Sequence, residues 1–329
     1  MRKKIIILGS TGSMGTQTLD VIRANPDDFE IVGLATRSNE KIKDQVAEFK
    51  PKYGGVLTRE EAEEMVTQKD VDVVVVACRG ADWTPVVLAA INAGKKIAMG
   101  NKEMIVEHGE TIMKTVRENN ADFIPVDSEH SGIFQCLQGR NKSDIEKVVL
   151  TCSGGPFWNR EKLDDVTLEE ALDHPTWKMG KKITVDSATL MNKSLEIIEA
   201  KYLFDLDPEQ IEVLIHPQCI VHAIVYFKDG SNIAHMGYPD MSLPISYALY
   251  YPNAKKNELP RIDLANQKLE FYEPDAKKFP SLQFAYDVLS RKGNLPQKLN
   301  QANEEAVEKF FNREISFKEI FVHIQNSTF

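Results

Sequence analysis

The chain has 329 residues, 42% hydrophobic and 27% charged, with a net charge of −9. That length allows two or three domains around more than one core, and the ordinary composition excludes disordered, collagen-like and coiled-coil chains. The acidic balance argues against a nucleic-acid binder, which carries a basic face, but not against an anionic small molecule held by local lysines and amides.

The N-terminus, Met1-Arg2-Lys3-Lys4, leads into four apolar residues that stop at Gly9. This run is too short for a signal peptide. No window approaches the roughly 18–20 apolar residues of a membrane span, so a cytoplasmic protein with no membrane partner is expected. Residues 5–8 read as a buried parallel strand. A Gly-rich turn follows, then a helix over 16–25 that stops at Pro26. Strands are predicted at 30–35, 71–77, 96–99 and 122–126, and helices at 84–93 and 110–119. The alternation predicts a doubly wound, Rossmann-like parallel sheet over residues 1–150.

After Lys147 the pattern changes. Residues 148–152 form a strand entering the loop Ser153-Gly154-Gly155-Pro156. Residues 157–182 lack periodicity, as a functional lid would. A capped helix is predicted over 187–203, then strands at 212–216, 223–228 and 231–236 with Asp229-Gly230 as a hairpin turn. Residues 151–255 are therefore expected to be an antiparallel α+β catalytic domain, 256–280 a linker, and 281–329 a small helical domain with breaks near 293–296 and 313–316. The four cysteines, Cys78, Cys136, Cys152 and Cys219, are far apart with no C-x-x-C pair, which suits neither structural zinc nor a disulfide framework.

Gly9-Ser10-Thr11-Gly12-Ser13-Met14-Gly15 sits between the first strand and the first helix, where glycines and helix amides can cradle a pyrophosphate. Such a turn can also be merely structural; its place after the first strand of an alternating pattern gives it weight. The second strand ends in Ala35-Thr36-Arg37-Ser38-Asn39, with no acid to accept a ribose hydroxyl. Arg37 and Ser38 suit a 2′-phosphate instead, which favours NADPH.

Asp127 and Glu129 follow the strand at 122–126. In extended chain the i, i+2 spacing puts both carboxylates on one side, and like charges that close need a cation or a shared proton. Asn192, Lys193, Glu196 and Glu199 share a helix face, with Ser187, Asn192 and Lys193 near its start as a phosphate site. Glu196 could complete an oxygen cage with Asp127 and Glu129, suited to Mg²⁺ or Mn²⁺ rather than zinc. The plain alternative is a solvated helix face with a Lys–Glu pair. His174 lies in the irregular segment before Trp177, and His216 and His222 lie among the later strands. No zinc or hydrolase motif is present.

The blocks GSTGSMGTQTLDV (9–21), GNKE (100–103), PVDSEHSGIFQ (125–135), SGGPF (153–157), HPTWKMG (174–180), VDSATLMNKSLEIIEA (185–200) and HPQCIVH (216–222) resemble the 1-deoxy-D-xylulose 5-phosphate reductoisomerase family. The resemblance implies metal ligation by Asp127, Glu129 and Glu196. It implies a phosphate site of Ser153, Ser187, Asn192 and Lys193 with His174 close by, and contacts from Lys102 and Ser128 to the reacting oxygens. Trp177 would cover the substrate, and His222 matches a position important for activity. Gly9, Thr11, Gly12, Ser13, Met14, Gly15, Arg37, Ser38, Asn101 and Glu103 would line the NADPH site. The implied reaction is a metal-assisted rearrangement of a phosphorylated keto-sugar by retro-aldol and aldol steps. Hydride transfer from NADPH follows, in a homodimer. The chain departs from the family in a short C-terminus and in Cys78-Arg79-Gly80-Ala81-Asp82-Trp83, expected to set a charge and a bulky ring at the cofactor edge. These departures admit a paralogue acting on a different phosphorylated ketose.

Overall fold

Six short runs rich in β-branched residues build the first sheet of the computed structural model, which describes residues 1–37, 40–291 and 293–329. They are β1 (Lys3–Leu8), β2 (Phe29–Thr36), β3 (Tyr53–Val56), β4 (Val73–Val76), β5 (Lys96–Met99) and β6 (Phe123–Pro125). All pairings are parallel, in the order β3-β2-β1-β4-β5-β6. Ile5 to Leu8 and Val73 to Val76 are buried throughout, as central strands covered on both faces must be. The order reverses between β1 and β4, so a crevice opens at their C-terminal ends. The helices are α1 (Ser13–Arg23), α2 (Ile42–Phe49), α3 (Arg59–Val66), α4 (Thr84–Asn92) and α5 (Lys102–Asn119). Helix α5 starts eight residues earlier than expected and kinks at His108, so the predicted helix is its second half.

The chain's contacts group into two units, Met1–Ser131 with Asp240–Leu259, and Gly132–Pro239 with Pro260–Phe329. Residues 240–259 return to the first unit as α10 (Ser242–Tyr250). Lys3 Nζ donates to Leu249 O (2.8 Å) and Lys96 Nζ to Tyr251 O (2.6 Å), so two ammonium groups satisfy carbonyls at and just beyond the C-terminal end of that helix. Tyr250 Oη donates to Asp28 (2.5 Å) and its ring lies 4.9 Å from Phe29.

Helix α6 (Ser128–Cys136) leads into the second unit, whose sheet comprises β7 (Ile145–Cys152), β8 (Ile211–Ile215), β9 (Val221–Phe227) and β10 (Asn232–Met236) in the order β10-β9-β7-β8. The sheet is mixed rather than antiparallel. β9 pairs antiparallel with β7 and β10, but β8 runs parallel to β7 because helices cross between them. These are α7 (Leu168–Ala171), α8 (Lys181–Ala188) and α9 (Met191–Phe204). The single helix expected over 187–203 is thus two. Leu190 adopts a left-handed conformation (φ 57°) and breaks the run, which puts Ser187 in the last turn of α8 and Asn192 in the first turn of α9.

The C-terminal segment folds as α11 (Ser281–Ser290), α12 (Leu295–Phe311) and α13 (Phe317–Thr328), with breaks where expected. It packs on residues 151–204 of its own unit. Phe317 meets Phe157 at 5.2 Å and Phe310 at 5.9 Å, Asn303 donates to Asp186 (2.9 Å), and Ser281 Oγ donates to Thr189 O (2.5 Å). Among the described residues no helix is long and apolar enough to cross a membrane.

Candidate active site

In the first unit the Gly-rich turn is shaped by the backbone that it must pass. Gly9 has φ +87°, and a Cβ there would lie 2.5 Å from Cys78 N; a Cβ at Gly15 would lie 2.3 Å from Gly9 O. Neither position admits a side chain. Gly12 differs: its φ of −77° is ordinary and its Cβ would meet nothing closer than 3.4 Å. Protein packing therefore does not require a glycine there. Gly12 is also the N-cap of α1 and offers no capping side chain to the first-turn amides of Ser13 and Met14. Gln45 anchors the turn, accepting from Ser10 Oγ (2.7 Å) and donating to Ser10 O (3.0 Å), and Thr11 bonds Thr36 (3.1 Å).

Arg37 emerges at the end of β2 and pairs with Asp82. Ser38, the other residue expected at the 2′-phosphate, lies outside the described residues. Trp83 corrects the expectation of an exposed ring: it is 4% exposed, packed where α4 begins, and Arg79 and Asp82 are the exposed residues of its loop. Asn101 is buried as the N-cap of α5, accepting from Met104 N (2.8 Å) and donating to Gly80 O (2.7 Å). Lys102 and Glu103 follow in the first turn of that helix.

The acidic residues sit where β6 gives way to α6. Helix α6 starts at Ser128, so the extended-chain argument for Asp127 and Glu129 does not hold; a helix start brings their carboxylate oxygens within 4.8 Å instead. Asp127 contacts Lys102 Nζ (2.8 Å) and His130 Nδ1 (3.8 Å). Burial alone would raise its carboxyl, but the Lys102 ammonium and then His130 outweigh that and hold it well below the usual carboxylate range. Ser128 Oγ donates to Glu129 (2.5 Å).

The second unit carries a separate polar array. Ser153 Oγ and Ser187 Oγ stand 3.0 and 3.1 Å from His174 Nε2. His174 Nδ1 accepts from the backbone amides of Thr176 (3.1 Å) and Trp177 (2.8 Å). An imidazole nitrogen that accepts is unprotonated, so Nε2 carries the proton. Burial pushes this histidine down to about 4, which keeps it neutral. Trp177 is half-buried. On α9, Lys193 Nζ reaches Glu196 Oε2 (2.5 Å) and Thr151 O (2.6 Å), and Asn192 donates to Glu196 Oε1 (2.5 Å). Lys193, Glu196 and Glu199 are each at most 2% exposed, which overturns the solvated-face alternative. His222, on β9, lies 5.7 Å from His235 and 3.3 Å from Gly237 O; burial pushes both histidines down to about 4.

A family model for 1-deoxy-D-xylulose 5-phosphate reductoisomerase matches residues 5–65 and 55–109, and models for the C-terminal domain match 123–204 and 236–328. The 1-deoxy-D-xylulose 5-phosphate reductoisomerase of Desulfitobacterium hafniense (strain DSM 10664 / DCB-2) is 44% identical over 97% of this chain and 90% of its own length. That of Clostridium tetani (strain Massachusetts / E88) is 46% identical with the same coverage. The chain belongs to the 1-deoxy-D-xylulose 5-phosphate reductoisomerase family. Solved reductoisomerases are similar throughout. A DOX-P reductoisomerase crystallised with NADPH, fosmidomycin and magnesium covers 99% of this chain and 89% of its own, at 36% identity and TM-score 0.91. The Zymomonas mobilis reductoisomerase in complex with NADPH covers 99% and 91%, at 33% identity and TM-score 0.90.

Three polar residues of this reductoisomerase-family chain escaped the sequence argument. His130 is fully buried against Asp127, and its only signal was its place in the D-S-E-H block. Asp186 is held by Lys182 (2.9 Å) and Asn303, a partner more than a hundred residues away that no local pattern marks. His235 joins His222 only because β9 and β10 pair.

Proposed function

We propose that this chain is a divalent-metal-assisted, NADPH-dependent reductoisomerase that converts 1-deoxy-D-xylulose 5-phosphate to 2-C-methyl-D-erythritol 4-phosphate for isoprenoid synthesis. What carries the reading is that the polar residues of the D-S-E-H, S-G-G, H-P-x-W and M-N-K-x-x-E blocks are all present on a chain that matches reductoisomerases along 97% of its length. The donor chemistry fits the implied groups. The open Gly12 position and uncapped α1 suit a pyrophosphate. Asp127 and Glu196 each face a lysine ammonium, so both already balance positive charge. Oxygen-only donors favour Mg²⁺ or Mn²⁺.

We assign Asp127, Glu129 and Glu196 to the divalent ion, which when bound supplies Lewis acidity at the substrate's carbonyl and hydroxyl oxygens. Gly9, Thr11, Gly12, Ser13, Met14, Gly15, Arg37, Ser38, Asn101 and Glu103 are assigned to NADPH, the hydride source. Ser153, Ser187, Asn192 and Lys193 bind the phosphate with hydroxyl, amide and ammonium donors. His174 adds a neutral Nε2–H aimed at the same two hydroxyls. Its Nδ1 is tied to the Trp177 amide, so seating the phosphate also fixes the residue that covers the substrate and excludes water. Phosphate lies far from the reacting bonds, so its binding energy is free to position them. Lys102 and Ser128 hold the reacting oxygens, the ammonium opposing developing negative charge. His222 stays neutral and is assigned to shaping the site rather than to proton transfer.

Four free cysteines suit the reducing cytoplasm, where we place the enzyme. We propose a homodimer, which the edge position of β10 in its sheet permits. The test of the function is NADPH oxidation with 1-deoxy-D-xylulose 5-phosphate and Mg²⁺ or Mn²⁺, beside an EDTA control and Glu196→Gln. Oxidation that needs the ion and falls at least about a hundredfold in the variant is expected. Oxidation indifferent to EDTA would remove the metal from the mechanism.

A further inference from the structure

We propose that this chain reads the ribose 2′ position with two opposed groups, the Arg37 guanidinium and the Asp82 carboxylate, and so accepts NADH alongside NADPH. The inference rests on the cofactor reading above and goes beyond it. β2 and β4 lie on either side of β1 in the sheet. Arg37 follows the last residue of β2, and Asp82 lies in the turn between β4 and α4. One guanidinium nitrogen of Arg37 pairs with Asp82, and the other donates to Arg79 O (3.0 Å). The link therefore spans the C-terminal end of β1, the strand that feeds the Gly-rich turn. That is the crevice in which the adenosine half of a dinucleotide rests in such sheets.

The turn that presents Asp82 is built rather than loose. Asn101 donates to Gly80 O (2.7 Å), Thr84 Oγ1 donates to Ala81 O (2.6 Å), and Trp83 is buried beside it. Arg79 and Asp82 are its exposed side chains, and the carboxylate is 76% exposed against 46% for Arg37. In dinucleotide-binding sheets an acid at the end of strand two accepts the ribose hydroxyl of NADH, whereas an arginine accommodates the 2′-phosphate of NADPH. Here the arginine follows strand two, and the acid arrives from the turn after β4. A 2′-phosphate finds Arg37 already engaged and a second negative charge beside it. A 2′-hydroxyl finds an acceptor. The pair is exposed, so parting it costs little and either cofactor can enter. Discrimination between the two is narrower than Arg37 alone would impose.

The experiment titrates the purified full chain with NADPH and with NADH, without sugar phosphate, following binding by calorimetry, for wild type, Asp82→Ala, Asp82→Asn and Arg37→Ala. Wild type should bind NADPH no more than about tenfold tighter than NADH. Asp82→Ala should tighten NADPH and weaken NADH, widening that ratio by roughly three- to tenfold. Asp82→Asn, which keeps a hydrogen-bonding group without the charge, should tighten NADPH while largely retaining NADH. Arg37→Ala should weaken NADPH far more than NADH. An unchanged ratio in Asp82→Ala, or weaker binding of both cofactors, overturns the proposal, since Asp82 then only holds its turn. Wild type that binds NADPH but not NADH also overturns it, with the NADPH reading intact. Wild type that binds neither overturns the NADPH reading itself.

Discussion

The glycines of the cofactor turn separate two roles at the scale of single residues. Gly15→Ala drives a Cβ into Gly9 O and should destabilise the protein by about 2 kcal/mol or more, seen as a lower thermal midpoint. Gly12→Ala meets no protein atom closer than 3.4 Å, so the midpoint should hold while NADPH affinity, measured by titration, falls at least about tenfold. Equal effects of both changes on folding would mean that Gly12 serves the fold. Lys193 and Glu196 form a buried pair, and removal of the lysine takes away the ammonium that faces the buried carboxylate. Lys193→Met should lower stability by about 3–5 kcal/mol in denaturant unfolding. A loss under about 1 kcal/mol would mean that Glu196 finds its counter-charge elsewhere.

Elements were legible where burial imposes a pattern. The VVVV of β4 and the IIIL of β1 can only be central strands, and both are. β3 reads YGGV, with half its residues exposed at the sheet edge, and carries no such mark. The sequence pattern accordingly assigns no element to the segment that holds α2, β3 and α3. The merged helix at 187–203 has a comparable cause: Leu190 is an ordinary helix former, and its left-handed conformation is imposed by the surrounding packing rather than by local preference. The site residues were legible through their blocks, but their geometry was not. Asp127 and Glu129 converge through a helix start, and Asp186 depends on Asn303 from the distant α12. Asn303→Ala leaves the buried Asp186 carboxylate with one fewer donor and should cost about 1–3 kcal/mol. An unchanged thermal midpoint would show that α12 does not brace α8 by this bond.

At the scale of the whole molecule, loss of solvent pushes His174, His222 and His235 each down to about 4, which keeps them neutral. The unfolded chain binds protons at these sites from about pH 6.5 downward, before the folded chain does. Stability contributed by these groups is thus complete above about pH 6.5 and declines as pH falls toward 4. Denaturant midpoints taken across that window should fall with acidity, and the triple exchange to Gln should flatten the decline. The reaction assigned to this chain requires the carbon skeleton to rearrange before reduction. NMR of the product formed from ¹³C-labelled 1-deoxy-D-xylulose 5-phosphate with NADPH and Mg²⁺ tests it most directly. The branched skeleton of 2-C-methyl-D-erythritol 4-phosphate is expected, with the label at the new carbon–carbon junction. A product reduced at the original carbonyl with its chain unbranched would make this protein a simple dehydrogenase and rule out the rearrangement.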